Sequence, residues 1–287
     1  MRKPSRLDLR KTLFILPNLI TLSSVFCGFD SLRTSASAQG EEDFYKAALL
    51  IVFAMLFDML DGRVARMTKT QSAFGLQIDS LADVVSFGAA PALLVYEWTL
   101  KRLGTPGLIV SFLFVACGAV RLARFNVLSM GENGKPTKPS KYIVGLPIPG
   151  AAGILVAIVV ANHAVGGAIG RAEYAWGMLA VTALLSFFMV STIRFRSFKD
   201  VKLNVRTVLF VGFAIGSSVF ISMRMSPAFV LVWLLGFYIL LGVFESLWQL
   251  PGRLMGRDPE APAPPAGGTT PPEVTRTSAP PEPPAGS

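Results

Sequence analysis

Residues 51–94 read IVFAMLF, then DMLDGRVARMTKTQSAFGLQIDSLAD, then VVSFGAAPALL, which is an acidic segment between two apolar runs. The acidic segment spans residues 58–83 and carries four aspartates: Asp58, Asp61, Asp79 and Asp83. The first two are three residues apart and the last two are four apart, so each pair shares one face of a helix. A short turn around 67–75 makes the two helices antiparallel. The sequence therefore predicts that the four carboxylates converge.

Converging carboxylates repel one another unless cations lie between them. Oxygen ligands without histidine or cysteine suit Mg²⁺, Mn²⁺ or Ca²⁺ rather than zinc. Two divalent ions beside a general base are typical of phosphoryl transfer, because they neutralise a diphosphate and the charge that develops during attack. A salt-bridged helix pair is the alternative, but Arg63 and Arg66 are too few for four acids. We expect a site for two ions, Mg²⁺ or Mn²⁺, with Ca²⁺ as a third candidate.

Small and polar residues lie between the two acidic pairs. Gly62 and Gly75 leave room for a nucleotide to approach the helices closely. Arg66 offers a planar, permanently charged group that matches phosphate oxygens. Ser72 adds a hydroxyl near the same phosphates.

The composition of the whole chain is that of a membrane protein. Of its 287 residues, 52% are hydrophobic and 16% charged, whereas soluble proteins have about 25% charged residues. Apolar runs long enough to cross a bilayer recur along the chain. Only helices and closed barrels cross a bilayer, and these runs are too long and uniformly apolar for barrel strands. The predicted fold is all-α, a polytopic transmembrane helical bundle of about eight spans: 13–32, 45–61, 79–99, 107–124, 146–164, 173–193, 206–223 and 227–248.

Charge and composition define the predicted organisation around these spans. Residues 1–12 form a basic, interfacial lead-in, 13–250 the transmembrane catalytic domain, and 251–287 a disordered tail rich in proline and alanine. With the N-terminus inside, 21 of the 27 lysines and arginines fall on the cytoplasmic side. The positive-inside rule then places both termini and the acidic site in the cytoplasm, with the bundle in the cell (inner) membrane.

Other chemistry is poorly supported by the residues present. Cys27 and Cys117 show no CxxC or Cys/His spacing, so neither a disulfide framework nor a zinc site is expected. His163 is the only histidine and has no second soft ligand nearby. The net charge of +9 is explained by cytoplasmic lysines and arginines, and no nucleic-acid motif accompanies it.

The spacing D-x2-D-G-x2-A-R-x8-G-x3-D-x3-D from Asp58 to Asp83 resembles the signature of the CDP-alcohol phosphatidyltransferase family at every fixed position. The resemblance implies that Asp58, Asp61, Asp79 and Asp83 are ligands of a dinuclear metal site, and that Asp83 also takes the proton of the attacking alcohol. It also implies that Gly62, Ala65, Arg66, Ser72 and Gly75 bind CDP-diacylglycerol. Asn18, which lies outside the signature, is a further candidate for contact with the nucleotide. For Asn18, which follows Pro17 in an apolar run, capping of a helix is the alternative.

Four further segments resemble the bacterial membrane-type phosphatidylserine synthases within this family: LPNLITLSSVFCGF (16–29), DSLADVVSFGAAPALL (79–94), RLARFNV (121–127) and YIVGLPIPGAAG (142–153). This likeness implies transfer of the phosphatidyl group from CDP-diacylglycerol to the serine hydroxyl with release of CMP. Arg121 or Arg124 would bind the serine carboxylate, and Asn126 would help to orient serine. The alternative for both arginines is ordinary cytoplasmic charge.

Two other functions stay open at this point. The family signature also fits other acceptors, namely glycerol phosphate, inositol phosphate or choline. Intramembrane carboxylates are typical of transporters as well; against this, the acids cluster at one membrane face and no discontinuous helix is repeated in two halves. The expected partners are CDP-diacylglycerol, serine and the lipid bilayer, with no nucleic acid, and a homodimer is a further candidate assembly.

Overall fold

The computed structural model describes residues 9–68, 70, 72–129, 142–166, 172–191 and 194–196, and isolated residues between 216 and 237. Between residues 9 and 191 the described chain forms seven α-helices: α1 Leu9–Ala36, α2 Glu41–Thr68, α3 Ala73–Asp83, α4 Ala90–Trp98, α5 Thr105–Ser129, α6 Ile148–Ala164 and α7 Ala175–Val190. A π-helical turn, Val84–Ala89, joins α3 to α4, and short 3₁₀ turns form at Leu100–Leu103 and Ala172–Tyr174.

Two of the described helical stretches are long and apolar enough to cross a membrane. Ala73–Trp98 runs for 26 residues with a mean hydropathy of 1.5, and Thr105–Leu128 runs for 24 residues with a mean hydropathy of 1.9. Helices α6 and α7 are apolar but shorter. The predicted helical architecture is confirmed, whereas the number of eight spans stays a prediction. The expected spans at 206–223 and 227–248 fall almost wholly outside the described residues, as do the tail at 251–287 and the first eight residues of the lead-in.

A short two-stranded ribbon is the one feature of the described residues that departs from the all-α prediction. Strand β1, Tyr142–Val144, pairs antiparallel with strand β2, Arg194–Arg196. Directly after β1, Gly145 adopts a φ of +78°, and a Cβ at this position would lie 2.4 Å from the main-chain oxygen of Met189. The ribbon and this close approach tie the start of α6 to the end of α7.

Helix α1 packs on α2 through a stripe of small side chains. The buried positions of α1 recur at intervals of three and four residues, as in a heptad seam: Thr21, Ser24, Gly28, Ser31 and Ser35. Two of these hydroxyls donate hydrogen bonds across the seam to main-chain oxygens, Ser24 to Ala54 at 3.1 Å and Ser31 to Ala47 at 2.9 Å. Small residues let two membrane helices approach closely, and their hydroxyls bind across the contact.

The seam also turns the acidic residues of α2 inward. Its buried positions on α2 are Ala47, Ile51 and Ala54, and the same three- and four-residue spacing continues to Asp58 and Asp61. Because α1 and α2 are antiparallel, the first turns of α1 lie beside the last turns of α2. The two aspartates therefore meet α1 near Thr21.

The π-helical turn after Asp83 is held against the middle of α1. A Cβ on Gly28 would lie 2.7 Å from Ser86 Cα, and Ser86 Oγ donates a hydrogen bond of 3.0 Å to the Ser24 main-chain oxygen. Below this contact the core consists of fully buried apolar side chains, among them Phe87, Leu94, Leu146, Ile148 and Leu155. Helix α1 thus contacts both acid-bearing segments of the chain.

We expect Gly28→Ala to destabilise the protein, because the new methyl group meets main-chain atoms of Ser86 that cannot rotate away. Overpacking of this kind costs about 1–3 kcal/mol, which corresponds to a decrease in Tm of roughly 2–4 °C per kcal/mol. Thermal unfolding of the detergent-purified protein measures the effect. Gly177→Ala in α7 is the matched control, since nothing lies within 4 Å of its Cβ position. Equal unfolding temperatures for Gly28→Ala and the wild type would show that the α1 contact is not tight.

Candidate active site

Three of the four predicted carboxylates meet at one point. Asp58 and Asp61 stand in the last turns of α2, and Asp79 stands in α3. One carboxylate oxygen from each lies within 4.8 Å of the other two. Asp61 is the most enclosed, with 5% of its surface exposed. The i, i+3 spacing on α2 and the position of α3 beside the end of α2 bring them together, as the sequence predicted.

Asp83 lies beside this trio, one helical turn beyond Asp79. Its carboxyl group is close enough to that of Asp58 to share a hydrogen bond. One of its oxygens, Oδ1, is buried and has no hydrogen-bond partner among the described residues. Arg121 of α5 is the cation whose charge acts on Asp83. Asp83 is therefore close to the carboxylate trio and within the electrostatic influence of Arg121 on α5.

The first turn of α3 forms a second part of the site. Ser72 caps the helix, its Oγ accepting a hydrogen bond of 3.0 Å from the Gly75 main-chain nitrogen. A Cβ on Gly75 would lie 3.2 Å from Ser72 Oγ and 3.9 Å from Asn18 Oδ1. Asn18, Ser72 and Gly75 are thus neighbours, although Asn18 comes from α1. Free main-chain amides at a helix N-terminus favour an anion such as phosphate.

The end of α2 carries the remaining predicted nucleotide contacts. Arg66 is exposed, and its Nη1 atom would lie 3.9 Å from a Cβ on Gly62, so its guanidinium group folds back over the glycine. Ala65 is half-buried, and its main-chain oxygen accepts a hydrogen bond of 3.1 Å from Thr70, which closes the helix end. These residues adjoin the carboxylate trio along the chain.

The three residues predicted to bind serine all lie near the end of α5, but in different surroundings. Arg121 is half-buried and faces Asp83, whereas Arg124 is exposed. Asn126 is buried, with 8% of its surface exposed. Its Nδ2 donates hydrogen bonds of 2.9 Å to Ser80 Oγ and 3.3 Å to Gln77 Oε1. The amide of Asn126 thus ties α5 to α3, and its role in orienting serine stays a prediction.

The oxygen donors of this cluster fit divalent cations by their own chemistry, apart from any family resemblance. The trio offers hard carboxylate oxygens at the spacing of a shared ion, and no described histidine or cysteine lies among them. The buried Oδ1 of Asp83 lacks a protein partner, and such an acceptor is costly unless something binds it. Oxygen-only ligands match Mg²⁺, Mn²⁺ or Ca²⁺.

Sequence reasoning missed one side chain of this cluster. Thr21 of α1 lies against the trio, and its Oγ1 is 2.5 Å from Asp61 Oδ2. The sequence held one indication of Thr21, namely that it belongs to the repeat of small residues at intervals of three and four along α1. That pattern predicts a buried position but does not identify the atom that the hydroxyl binds. Ser80 and Gln77, the partners of Asn126, were missed for the same reason.

Known proteins similar to this chain are phospholipid synthases. A protein of Helicobacter pylori (strain ATCC 700392 / 26695) named CDP-diacylglycerol–serine O-phosphatidyltransferase is 38% identical over 238 residues, which are 83% of this chain and 93% of the relative. An archaetidylserine synthase of Methanothermobacter thermautotrophicus is 35% identical over 191 residues, 66% of this chain and 72% of the relative. A CDP-diacylglycerol–serine O-phosphatidyltransferase of Methanocaldococcus jannaschii is 47% identical over 107 residues, 37% of this chain and 47% of the relative.

The sequence profile of the CDP-alcohol phosphatidyltransferases matches residues 14–190. This stretch covers more than half of the 287 residues, includes the carboxylate cluster and ends with the last residue of α7. The matched stretch contains every described residue of the candidate site, so the family match and the geometry of the site concern the same residues. The chain therefore belongs to the CDP-alcohol phosphatidyltransferase family.

Proposed function

We propose that this chain is a CDP-diacylglycerol–serine O-phosphatidyltransferase, a membrane transferase that makes phosphatidylserine and releases CMP. The observation that carries the proposal is the meeting of the carboxylates of Asp58, Asp61 and Asp79 within 4.8 Å in a chain of this family. A transporter does not need this cluster beside a helix N-terminus suited to phosphate. The enzymatic activity is supported by relatives whose names are those of phosphatidylserine synthases.

Serine is the acceptor best supported by the comparisons. The relative from Helicobacter pylori, which is matched over 93% of its length, is named for serine transfer. Glycerol phosphate and inositol phosphate carry a phosphate of their own and would need more dedicated cations than Arg121 and Arg124. Choline lacks the carboxylate that a nearby arginine would recognise.

The CDP group of the substrate is assigned to the surface formed by α1, α2 and α3. Phosphate oxygens would meet the main-chain amides at the start of α3, with Ser72 and Asn18 beside them and Arg66 above Gly62. Asp58, Asp61, Asp79 and Asp83 would hold two divalent ions, Mg²⁺ or Mn²⁺. Such ions neutralise the diphosphate and stabilise the charge that develops at phosphorus.

In this proposal Asp83 acts on the acceptor. A serine hydroxyl is a poor nucleophile until a base takes its proton, and Asp83 is close to the trio and within the electrostatic influence of Arg121. Arg121 would bind the serine carboxylate and so hold the hydroxyl near Asp83. The serine oxygen then forms a bond to the phosphorus of the phosphatidyl group. The bond from that phosphorus to the bridging oxygen breaks, CMP leaves, and the hydroxyl proton passes to Asp83.

The lipid tails of CDP-diacylglycerol need an apolar path beside this site. A groove of about 480 Å³ runs along the outside of α1 and is lined by Leu19, Leu22, Ser23, Phe26, Cys27 and Phe57. Leu19 follows Asn18 and Phe57 precedes Asp58, so the groove and the proposed site are neighbours along α1 and α2. An acyl chain in this groove would place the diphosphate beside the carboxylates.

The site would face the cytoplasm. Arg63, Arg66 and Arg124 surround it and are exposed, in keeping with the positive-inside rule. The other end of the bundle carries the ion pairs Arg33–Asp30 and Lys101–Glu97. Multiple spans, cytoplasmic termini and a homodimer belong to the same proposal.

The acceptor is tested by CMP release from the purified protein with CDP-diacylglycerol and Mn²⁺. We expect serine to stimulate release and to appear in phosphatidylserine, because Arg121 can pair with its carboxylate. Glycerol phosphate, inositol phosphate and choline are supplied in parallel. Excess EDTA should abolish release, and added Mg²⁺ or Mn²⁺ should restore it. A stronger response to another alcohol would replace serine in the proposal, and full activity in EDTA would contradict the metal site.

The role of Asp83 is tested by separating binding from turnover. We expect Asp83→Asn to bind CDP-diacylglycerol measurably, because the trio and the start of α3 remain intact. Turnover should decrease by about 10²–10⁴-fold, the usual contribution of a general base. Calorimetric binding and CMP release with serine measure the two effects, with Asp79→Asn as a control that should lose both. If Asp83→Asn also loses both, Asp83 is only a metal ligand; near-normal turnover would remove it from the mechanism.

The orientation is tested by labelling single cysteines in intact cells, after replacement of Cys27 and Cys117. Met67, which is 82% exposed, lies beside the site, and the exposed Thr105 begins α5 at the other end of the bundle. An impermeant thiol reagent should label Thr105→Cys from outside but Met67→Cys only after lysis. The reverse pattern would overturn the assignment.

A further inference from the structure

Thr21 of α1 joins the carboxylate cluster from a helix that carries none of the four aspartates. Its Oγ1 lies 2.5 Å from Asp61 Oδ2 and 3.0 Å from the main-chain oxygen of Pro17. Both Thr21 and Asp61 are buried, with 6% and 5% of their surfaces exposed. Water is therefore a poor substitute for either partner.

A threonine hydroxyl has one proton to donate, so its two acceptors compete. A hydroxyl in a helix often bonds to the main-chain oxygen four residues earlier, which here is Pro17. The carboxylate is the stronger acceptor, and a separation of 2.5 Å is typical of a hydroxyl bonded to a charged oxygen. The proton of Thr21 is therefore assigned to Asp61.

Other hydroxyls of the same seam do not reach the cluster. Ser31 donates to the Ala47 main-chain oxygen at 2.9 Å, and Ser24 donates to the Ala54 main-chain oxygen at 3.1 Å. These bonds join α1 to α2 without contacting a carboxylate. The bond of Thr21 has a second effect, because it fixes the plane and the rotamer of the Asp61 side chain.

We propose that Thr21 is a positioning residue of the cation site, where its hydroxyl holds Asp61 Oδ2 so that the carboxylate faces Asp58 and Asp79. This inference rests on the divalent-cation site proposed above. A ligand held in its binding geometry loses less freedom when the ion arrives, and removal of such a partner typically weakens metal binding by about 10–100-fold. In this role Thr21 acts through Asp61 and is not itself a ligand of the ion.

The test measures Mn²⁺ binding to the detergent-purified protein without nucleotide, by electron paramagnetic resonance of the free ion. Thr21→Val keeps the shape but lacks the donor, and we expect its dissociation constant to rise about 10–100-fold. Thr21→Ser keeps the donor and should bind close to the wild-type value. Thr21→Ala provides the same test if valine is not accommodated.

Two further variants separate positioning from packing and from failure of the site itself. Ser31→Ala removes a hydrogen bond from the same seam and should reduce Tm while leaving Mn²⁺ affinity unchanged. Asp61→Asn should lose Mn²⁺ binding if the cation site exists at all. Unchanged affinity in Thr21→Val, or equal weakening in Ser31→Ala, would overturn the role of Thr21. Normal binding by Asp61→Asn would overturn the cation site together with the inference that rests on it.

Discussion

The mutual repulsion of the carboxylates is the constraint on which the rest of this structure depends. Two unit charges 4.8 Å apart repel by about 3–4 kcal/mol at an effective dielectric constant of about 20. Asp58, Asp61 and Asp79 come from two helices, so this repulsion acts to separate α2 from α3. The fold must supply contacts that hold the helices together at the point where their charges oppose it. Helix α1 supplies them, because it packs along α2 and also contacts the turn that follows α3.

The small residues of α1 explain how one helix serves both neighbours. Gly28 lets α1 approach Ser86 so closely that a methyl group would collide with the main chain. Ser24 and Ser31 bind main-chain oxygens of α2, and Thr21 continues the same row to Asp61. In the proposed transmembrane bundle, hydroxyls and close packing would take the place of the hydrophobic effect between helices. This row of small residues holds α1 against α2. It ends at Asp61, whose charge acts to separate α2 from α3.

Much of the site was predictable because its spacing is local. Intervals of three and four residues place Asp58 with Asp61 on one helix face, and a short turn brings Asp79 opposite them. Long-range contacts were not predictable in this way. The sequence predicted Thr21 within the span 13–32 and Asn126 just beyond the end of the span 107–124, but their partners depend on the axial positions of α1 and α5 against other helices. The π-helical turn at Val84–Ala89 and the ribbon of β1 and β2 also have no strong local signal, since both follow from tertiary packing.

In the proposed arrangement, the two substrates would meet different parts of the chain. The residues assigned to the CDP group lie on α1, α2 and the first turn of α3, whereas Arg121, Arg124 and Asn126 lie on α5. Asp83 would connect the two groups, because it is close to Asp58 and is influenced by the charge of Arg121. A side-chain substitution on α5 that leaves the helix in place would therefore alter the acceptor alcohol without displacing the residues assigned to the nucleotide. The hydrogen bonds from Asn126 to Ser80 and Gln77 limit that freedom, since α5 cannot shift without moving the helix that carries Asp79 and Asp83. In the proposed arrangement, the acceptor site on α5, the general base Asp83 and the nucleotide-binding first turn of α3 are therefore all linked through α3.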